Sequence, residues 1–222
     1  MKILRSICTV LPVLLLWSCS QRDALKAAGE WFADYVYPFI GTDFTGNTYP
    51  GAQVPFGMVQ LSPDNGLPGW DRISGYFYPD STIAGFSHTH LSGTGAGDLY
   101  DISFMPVTLP YKEAEEPLGI HSRFSHADEA ASAGYYRVLL KDYGINVALT
   151  ATERCGIQRY TFPEADAAVI LNLRKAMNWD FTEDSYIEKV DSVTIQGYRF
   201  SDGWARGQRI FFRTRFSRPF ET

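Results

Sequence analysis

The amino-acid sequence predicts an all-β protein, built as an antiparallel β-sandwich. After Ile102, apolar and polar residues alternate in short runs, which is the pattern of strands with one buried face. Turn-forming residues separate these runs at regular spacing, and no long helical pattern interrupts them. Many short strands with frequent turns are typical of a sandwich.

The individual strands follow from this alternation. The apolar positions that share one side of each predicted strand are Tyr136, Val138 and Leu140; Ile145, Val147, Leu149 and Ala151; Val193 and Ile195; and Ile210, Phe212 and Phe216. The run AVILNL, Ala168 to Leu173, is almost continuously apolar and predicts a central strand. Tyr143-Gly144 and Ser201-Asp202-Gly203 predict turns between strands.

The composition is that of a packed domain. Of the 222 residues, 45% are hydrophobic and 20% are charged, which supplies a core and argues against disorder. The net charge of −5 and the lack of a basic stripe argue against a nucleic-acid partner.

The N-terminal residues predict export. A short basic start precedes the apolar run Ile7 to Trp17, which is too short to span a membrane comfortably. Residues 1–18 are interpreted as a signal peptide, and Cys19 as the lipidated cysteine of a bacterial lipoprotein. The alternative is an uncleaved anchor, or a plain secretory signal with an incidental cysteine.

This interpretation predicts a protein at the outer membrane or in the periplasm that touches the membrane through its lipid alone. Residues 19–34 would form a tether or a short helix before the folded domain. Cys8 leaves with the signal peptide and Cys19 carries the lipid. Cys155 therefore has no cysteine partner, and no intrachain disulfide is expected.

The stretch PDNGLPGWDRISGYFY, Pro63 to Tyr78, combines turn-forming residues with an indole and hydrogen-bonding side chains. An indole such as that of Trp70 can cover the apolar C–H face of a sugar, and a carboxylate such as that of Asp64 can bridge its hydroxyls. The alternative is structural, with Trp70 plugging one end of the sandwich and Asp64 capping a turn. The residue types leave both open.

His88 and His90 lie in the glycine-rich stretch GFSHTHLSGTGAGDLYDI, and in an extended segment they would share one side. Two imidazoles alone are a weak signal for zinc, and a buried histidine bonded to the backbone is the plainer alternative. The glycines from Gly93 to Gly97 lack the lysine and hydroxyl residue of a phosphate loop. Their backbone can instead approach a sugar closely.

The sequence patterns predict no complete catalytic site. The acids stand in no arrangement that marks an acid and base pair for glycoside hydrolysis. No serine nucleophile elbow is present, and Cys155 has no evident activating context.

Several long motifs occur in order from Tyr35 to the end of the chain. They are YVYPFIGT (35–42), GNTYPGAQVPFGMVQLSPD (46–64), GW (69–70), SGY (74–76), IAGFSHTHLSGTG (83–95), DLYDISFMP (98–106), ATERCGIQRYTFP (151–163), YRFSDGWA (198–205) and QRIFFRTRFSRPF (208–220). With these motifs the chain resembles the N-terminal domain of the family-92 glycoside hydrolases, which are exo-acting α-mannosidases. It departs from them at Ala96, where many members have a polar residue or a cysteine.

The resemblance implies a β-sandwich of the galactose-mutarotase-like supersandwich kind over residues 35–222. It leaves open whether the last strands of the sandwich lie beyond Thr222. It also implies a following C-terminal helical domain, expected outside these 222 residues, which would carry the catalytic acid, the catalytic base and the ligands of a calcium ion (Ca²⁺). No catalytic or metal-binding residue is therefore expected here.

The function that the resemblance implies is that of a calcium-dependent, inverting exo-α-mannosidase acting on α-mannoside glycans such as N-glycans. The sandwich loops would form one wall of its pocket, with Asp64, Trp70, His88, His90 and Gly93 as the substrate-binding candidates. The chain alone is expected to be inactive. The alternatives are a stand-alone mannose-binding surface lipoprotein and a non-functional gene fragment.

Overall fold

A computed structural model describes residues 32–93, 95–115, 119–164, 166–174 and 179–222. The chain divides into two units, Met1–Val36 and Tyr37–Thr222. In the first unit, Phe32–Tyr35 forms a single 3₁₀ turn. The predicted signal peptide, Cys19 and most of the 19–34 segment lie outside the described residues. Within the described ranges, no helix has the length and apolar character needed to cross a membrane.

The second unit is built almost entirely of strands. In chain order they are β1 (Ala52–Gln53), β2 (Gln60–Asp64), β3 (Thr82–Ile83), β4 (Gly85–Ser87), β5 (Ser103–Thr108), β6 (Ser122–Arg123), β7 (Glu129–Ser132), β8 (Tyr135–Leu140), β9 (Ile145–Ala151), β10 (Gly156–Thr161), β11 (Ala167–Asn172), β12 (Phe181–Lys189), β13 (Thr194–Asp202) and β14 (Gln208–Arg215). Two further 3₁₀ turns span Trp70–Arg72 and His126–Asp128.

The strands pair in antiparallel fashion throughout. A five-stranded sheet has the order β1-β2-β4-β5-β11, and a four-stranded sheet has the order β10-β9-β8-β7. The last three strands form a sheet of order β12-β13-β14, and β3 pairs with β6. The predicted all-β, antiparallel sandwich is confirmed.

The main core lies between the five-stranded and four-stranded sheets. Its residues alternate along each strand, as the period-two pattern of the sequence predicts. The members from β1, β2, β4 and β5 are Ala52, Leu61, Phe86, Met105 and Val107, and those from β8 and β9 are Tyr136, Val138, Leu140, Ile145, Val147 and Leu149. Full burial of such a side chain contributes about 1.5–3 kcal/mol.

A second, smaller core covers the other face of the five-stranded sheet. On β5, Met105 faces the main core while Phe104 packs with Ile195 of the three-stranded sheet. On β11, Ile170 and Leu171 divide in the same way. The prediction of a central strand over Ala168 to Leu173 was wrong. Among the described residues, β11 is an edge strand of the five-stranded sheet. Its apolar run reflects contact with two cores rather than pairing on both edges.

A buried carboxylate joins β7 to the neighbouring segments. The Tyr76 hydroxyl donates to both oxygens of Glu129 at 3.0 Å, and the Tyr136 hydroxyl donates at 2.6 Å. His126 Nδ1 lies 2.7 Å from Glu129 Oε2, and its ring stacks on Tyr78 at 3.9 Å. Burial raises the pKa of both Tyr76 and Tyr136, with a smaller contribution from the charge of Glu129, so both stay protonated as donors.

Glu129→Ala should lower the free energy of unfolding by about 3 kcal/mol, because it leaves buried donors without their acceptor. Urea unfolding at neutral pH measures the change. Glu183→Ala, which removes an exposed carboxylate from β12, is the matched control and should stay within about 0.5 kcal/mol of the wild type. An equal effect of the two substitutions would show that the hydrogen bonds to Glu129 add no net stability.

Candidate functional site

Two loops of the five-stranded sheet meet and, with Asp64 at the end of β2, carry the predicted site residues. The Trp70 loop, residues 65–75, follows β2, and the glycine-rich loop, described over residues 88–93 and 95–102, joins β4 to β5. The Tyr100 hydroxyl donates to the Ile73 carbonyl, which ties the second loop to the first. Gly75 stands at this junction with φ +87°, and a Cβ there would lie 2.6 Å from Asp64 Oδ1. A side chain at this position would therefore force the loops apart.

Asp64 and His90 form a buried pair between the two loops. Asp64 Oδ1 lies 2.8 Å from His90 Nε2, and neither side chain has exposed surface. Ser87 Oγ lies 3.0 Å from the same nitrogen, and Nδ1 of His90 lies 2.7 Å from the Gln60 carbonyl oxygen. These contacts hold the beginning of the glycine-rich loop against β2.

His88 turns to a different set of partners. Its Nδ1 lies 2.8 Å from the Ile102 carbonyl oxygen and donates to it. Gly156 of β10 packs directly on the ring, where a Cβ would come within 2.8 Å. Burial lowers the pKa of the His88 imidazole, against the opposing effect of the hydrogen bond to Ile102, so the neutral ring is favoured. Because His88 and His90 have separate partners, they do not form one ligand pair.

Of the predicted site residues, Trp70 and Gly93 are exposed, while His88 is half-buried and Asp64 and His90 are buried. The Trp70 side chain is 57% exposed and stacks beside Trp179, with ring centroids 6.3 Å apart. Gly93 is exposed with φ +69°, and its N–H donates to the Asn47 carbonyl at 2.6 Å. Gly95 faces the edge of the Trp70 ring, where a Cβ would lie 3.1 Å away. The lack of a side chain at Gly95 thus leaves this edge of the indole uncovered.

A buried arginine lies beneath this surface. Arg199 Nη1 donates to Asp101 Oδ1 at 2.6 Å, and Nη2 donates to Asp180 Oδ2 at 2.8 Å, with no side-chain surface exposed in any of the three. Arg199 Nε donates to Thr182 Oγ1 at 3.1 Å. The triad joins the glycine-rich loop to β12 and β13. Burial raises the pKa of Asp180 to about 6, and Arg199 opposes that shift.

A second carboxylate fixes the turn between β13 and β14. Asp98 is buried, and its two oxygens accept the backbone N–H groups of Trp204 and Ala205 at 3.2 and 2.7 Å. Gly203 lies so close that a Cβ would come within 2.7 Å of Asp98 Oδ1. This contact presents the exposed indole of Trp204 next to the glycine-rich loop.

Asp180, Arg199 and Trp179 were missed by the sequence reasoning. One signal for Arg199 was present: it falls on the same side of β13 as Ile195 and Ser201, which are buried. A charged residue at a buried strand position requires an acidic partner. The alternation does not say which of the many acids supplies it.

The residues in this region do not fit a calcium site. Asp98, Asp101 and Asp180 are engaged by backbone N–H groups or by Arg199, and Asp71 beside Trp70 is exposed. Calcium requires several oxygen ligands that are not already neutralised. Within the part of the chain that the structure describes, no group of three or more His, Cys, Asp or Glu side chains is placed to hold a metal ion.

The motifs and the fold identify the family. Residues 35–222 match the N-terminal domain of glycosyl hydrolase family 92. The chain belongs to this family.

Solved structures with the same fold support the assignment. An α-mannosidase of family 92 from Bacteroides thetaiotaomicron, solved alone and in complex with mannoimidazole, is 43% identical and superposes with a TM-score of 0.81. The match covers 86% of this chain and 26% of that chain. An inverting mannosidase of family 92 from the same organism is 28% identical, with a TM-score of 0.60, over 77% of this chain and 24% of that chain.

A curated relative is called an uncharacterized secreted glycosidase, from Arthroderma benhamiae. It is 29% identical over an alignment of 165 residues, and the match covers 70% of this chain and 20% of that protein. The chain thus spans about a quarter of the solved relatives named here and a fifth of the curated one.

Arg199→Met should lower the free energy of unfolding of the family 92 domain by about 3–5 kcal/mol, because it leaves two buried carboxylates unpaired. Arg213→Met, at an exposed arginine of β14, is the control and should change it by less than about 1 kcal/mol. Urea unfolding measures both. Adding Asp180→Asn to Arg199→Met should recover part of the loss, and a further loss would contradict the pairing.

The raised pKa of Asp180 predicts a pH dependence that Asp180→Asn removes. The folded state holds this proton more tightly than the unfolded state, so the stabilisation is complete below pH 3.8 and is lost as pH rises through about 6. The stability of the wild type relative to Asp180→Asn should therefore fall between pH 4 and 7, by about 2–3 kcal/mol for a shift of roughly two pKa units. Urea unfolding across this range measures the difference. A difference that stays constant with pH would contradict the assignment.

Proposed function

We propose that this family 92 domain forms one wall of the mannoside-binding pocket of an exo-acting α-mannosidase. The observation that carries the proposal is the 43% identity to a mannosidase that was solved with mannoimidazole. The exposed indole of Trp70, held at the meeting point of two fixed loops, is in keeping with it. The substrate class is an α-mannoside, such as the mannose-terminated branches of N-glycans.

In this proposal Trp70 and Gly93 touch the sugar directly. Trp70 covers the apolar C–H face of a mannose ring, and the backbone N–H and C=O groups near Gly93 bond its hydroxyls. Asp64 and His90, which the sequence suggested as further contacts, are bonded to each other without exposed surface. They are proposed to act by holding the glycine-rich loop in place, as does His88 through Ile102.

Catalysis is assigned to residues beyond this domain. Inverting hydrolysis needs a carboxylic acid that protonates the leaving oxygen and a carboxylate that activates water on the other face of the sugar. The buried acids Asp98, Asp101 and Asp180 are occupied by Arg199 or by backbone groups. Asp71 beside Trp70 is exposed, but it would supply one of the two carboxylates that the reaction needs. The acid, the base and the calcium ion are therefore proposed to lie in a C-terminal helical domain that packs on the sandwich loops.

The proposal includes export and lipid attachment at Cys19. The secreted glycosidase of Arthroderma benhamiae is a relative for which export is stated. A lipid on Cys19 would hold the protein at the outer membrane or in the periplasm, with no other membrane contact. Intact-mass analysis of the protein before and after lipase treatment would measure the mass of the lipid that is removed.

A second candidate function is mannose binding by the sandwich alone, as a surface lipoprotein. The observation that favours it is that the contacts that hold the site loops lie within residues 64–205 of this chain. They join Asp64 to His90, Asp101 to Arg199, and Asp98 to Ala205. The exposed face of Trp70 is held by the domain itself. Both candidates give Trp70 the same role, and they differ in whether a catalytic domain accompanies it.

The 222-residue chain should bind methyl α-mannoside without hydrolysing it. One wall supplies part of the contacts of a full pocket, so the dissociation constant should be roughly millimolar. Trp70→Ala should weaken binding about tenfold, which corresponds to about 1.4 kcal/mol, because the apolar sugar face loses its cover. Calorimetric titration measures the binding, and release of mannose from an α-mannoside measures hydrolysis.

Phe211→Ala is the matched control, since it removes another exposed aromatic side chain from the outward side of β14. It should leave binding unchanged. Equal binding by the wild type and Trp70→Ala would contradict the role of Trp70. Release of mannose by the chain alone would contradict the assignment of catalysis to another domain.

A further inference from the structure

A second indole lies next to Trp70 on the same surface. The Trp70 and Trp179 rings are inclined by 28° with centroids 6.3 Å apart. Trp70 is 57% exposed and Trp179 is 43% exposed. Two large aromatic side chains that meet each other and also keep about half of their surface in water form an apolar patch of the kind that marks binding sites.

Both indoles are attached to fixed parts of the fold. Trp179 directly precedes Asp180, whose carboxylate is bound by the buried Arg199. Trp70 begins the 3₁₀ turn that ends at Arg72, and Arg72 forms two hydrogen bonds of 2.6 Å with Asp80. The ion pairs therefore set the position of each ring before any ligand arrives, which reduces the entropy lost on binding.

The spacing of the rings makes a wall and not a clamp. Centroids of aromatic rings in direct contact are about 4.5–7 Å apart, and this pair falls inside that range. A sugar ring therefore has no room between the two indoles. It can lie against the part of each indole that remains exposed.

An oligosaccharide repeats an apolar C–H face in each of its rings. We propose that Trp70 and Trp179 together bind two consecutive sugar units, so that this wall selects an oligosaccharide over a single sugar. Trp70 covers the first unit and Trp179 covers the second. This inference rests on the proposed function, because it takes the ligand to be a mannoside.

The test compares one sugar with two on the same protein. Calorimetric titration of the 222-residue chain with methyl α-mannoside and with α-linked mannobiose gives two dissociation constants. The wild type should bind mannobiose about tenfold more tightly, since one added stacking contact contributes an energy of that order. Trp179→Ala should abolish this ratio and leave the constant for methyl α-mannoside within about twofold. Trp179→Phe should retain part of the ratio, and Phe211→Ala should retain all of it.

The outcomes separate this inference from the proposed function. If Trp179→Ala weakens both sugars equally, Trp179 only supports the Trp70 ring and the two-unit inference is wrong. If it leaves the ratio unchanged, the inference is wrong while the role of Trp70 stands. If Trp70→Ala changes neither constant, or the wild type binds neither sugar at concentrations of roughly tens of millimolar, the proposed function fails as well.

Discussion

The arrangement of the site depends on one buried cation. A guanidinium without contact to water is stabilised only when opposite charges and hydrogen-bond acceptors surround it. Arg199 obtains these from Asp101 in the glycine-rich loop and from Asp180 before β12. Neutralising one charge thus joins three separate segments, and it fixes the backbone next to Trp179. The same contact ties the glycine-rich loop to the three-stranded sheet, which also packs against β5 through the second core.

The glycine-rich loop also carries backbone strain that these contacts must hold. Leu99, Tyr100 and Ile102 all have positive φ, at 87°, 63° and 56°, and each such residue costs about 1–3 kcal/mol. They flank Asp101, whose second oxygen accepts from Thr89 Oγ1 at 2.6 Å while its N–H donates back to Thr89 at 2.9 Å. The loop keeps this conformation because the buried hydrogen bonds offset the strain. Gly95, which borders Trp70 in the same loop, is thereby held in one arrangement.

The strands and the sandwich could be read from the sequence because alternation is a local signal with a fixed period. The residue pairs that hold the site loops could not be predicted from the sequence, because the two members of each pair are far apart in the chain. Asp64 and His90 are separated by 26 residues, and Asp101 and Arg199 by 98. Residue type suggested that Asp64 could bond a sugar, but a carboxylate bonds a buried imidazole equally well. Trp179 follows no periodic pattern, and its stacking on Trp70 arises from the tertiary fold.

The positions of the carboxylates explain why the proposal assigns sugar binding to this domain and catalysis to another. Asp180 has a pKa raised to about 6, in the range useful for a general acid, but it is buried against Arg199 and cannot deliver a proton to a ligand on the surface. Asp98 and Asp101 are likewise buried and bonded. These buried carboxylates hold the fold together, while the surface at Trp70 presents indole rings, glycine backbone and the exposed carboxylate of Asp71. Such a surface can orient a sugar ring, and in the proposal the acid and base of hydrolysis come from another domain.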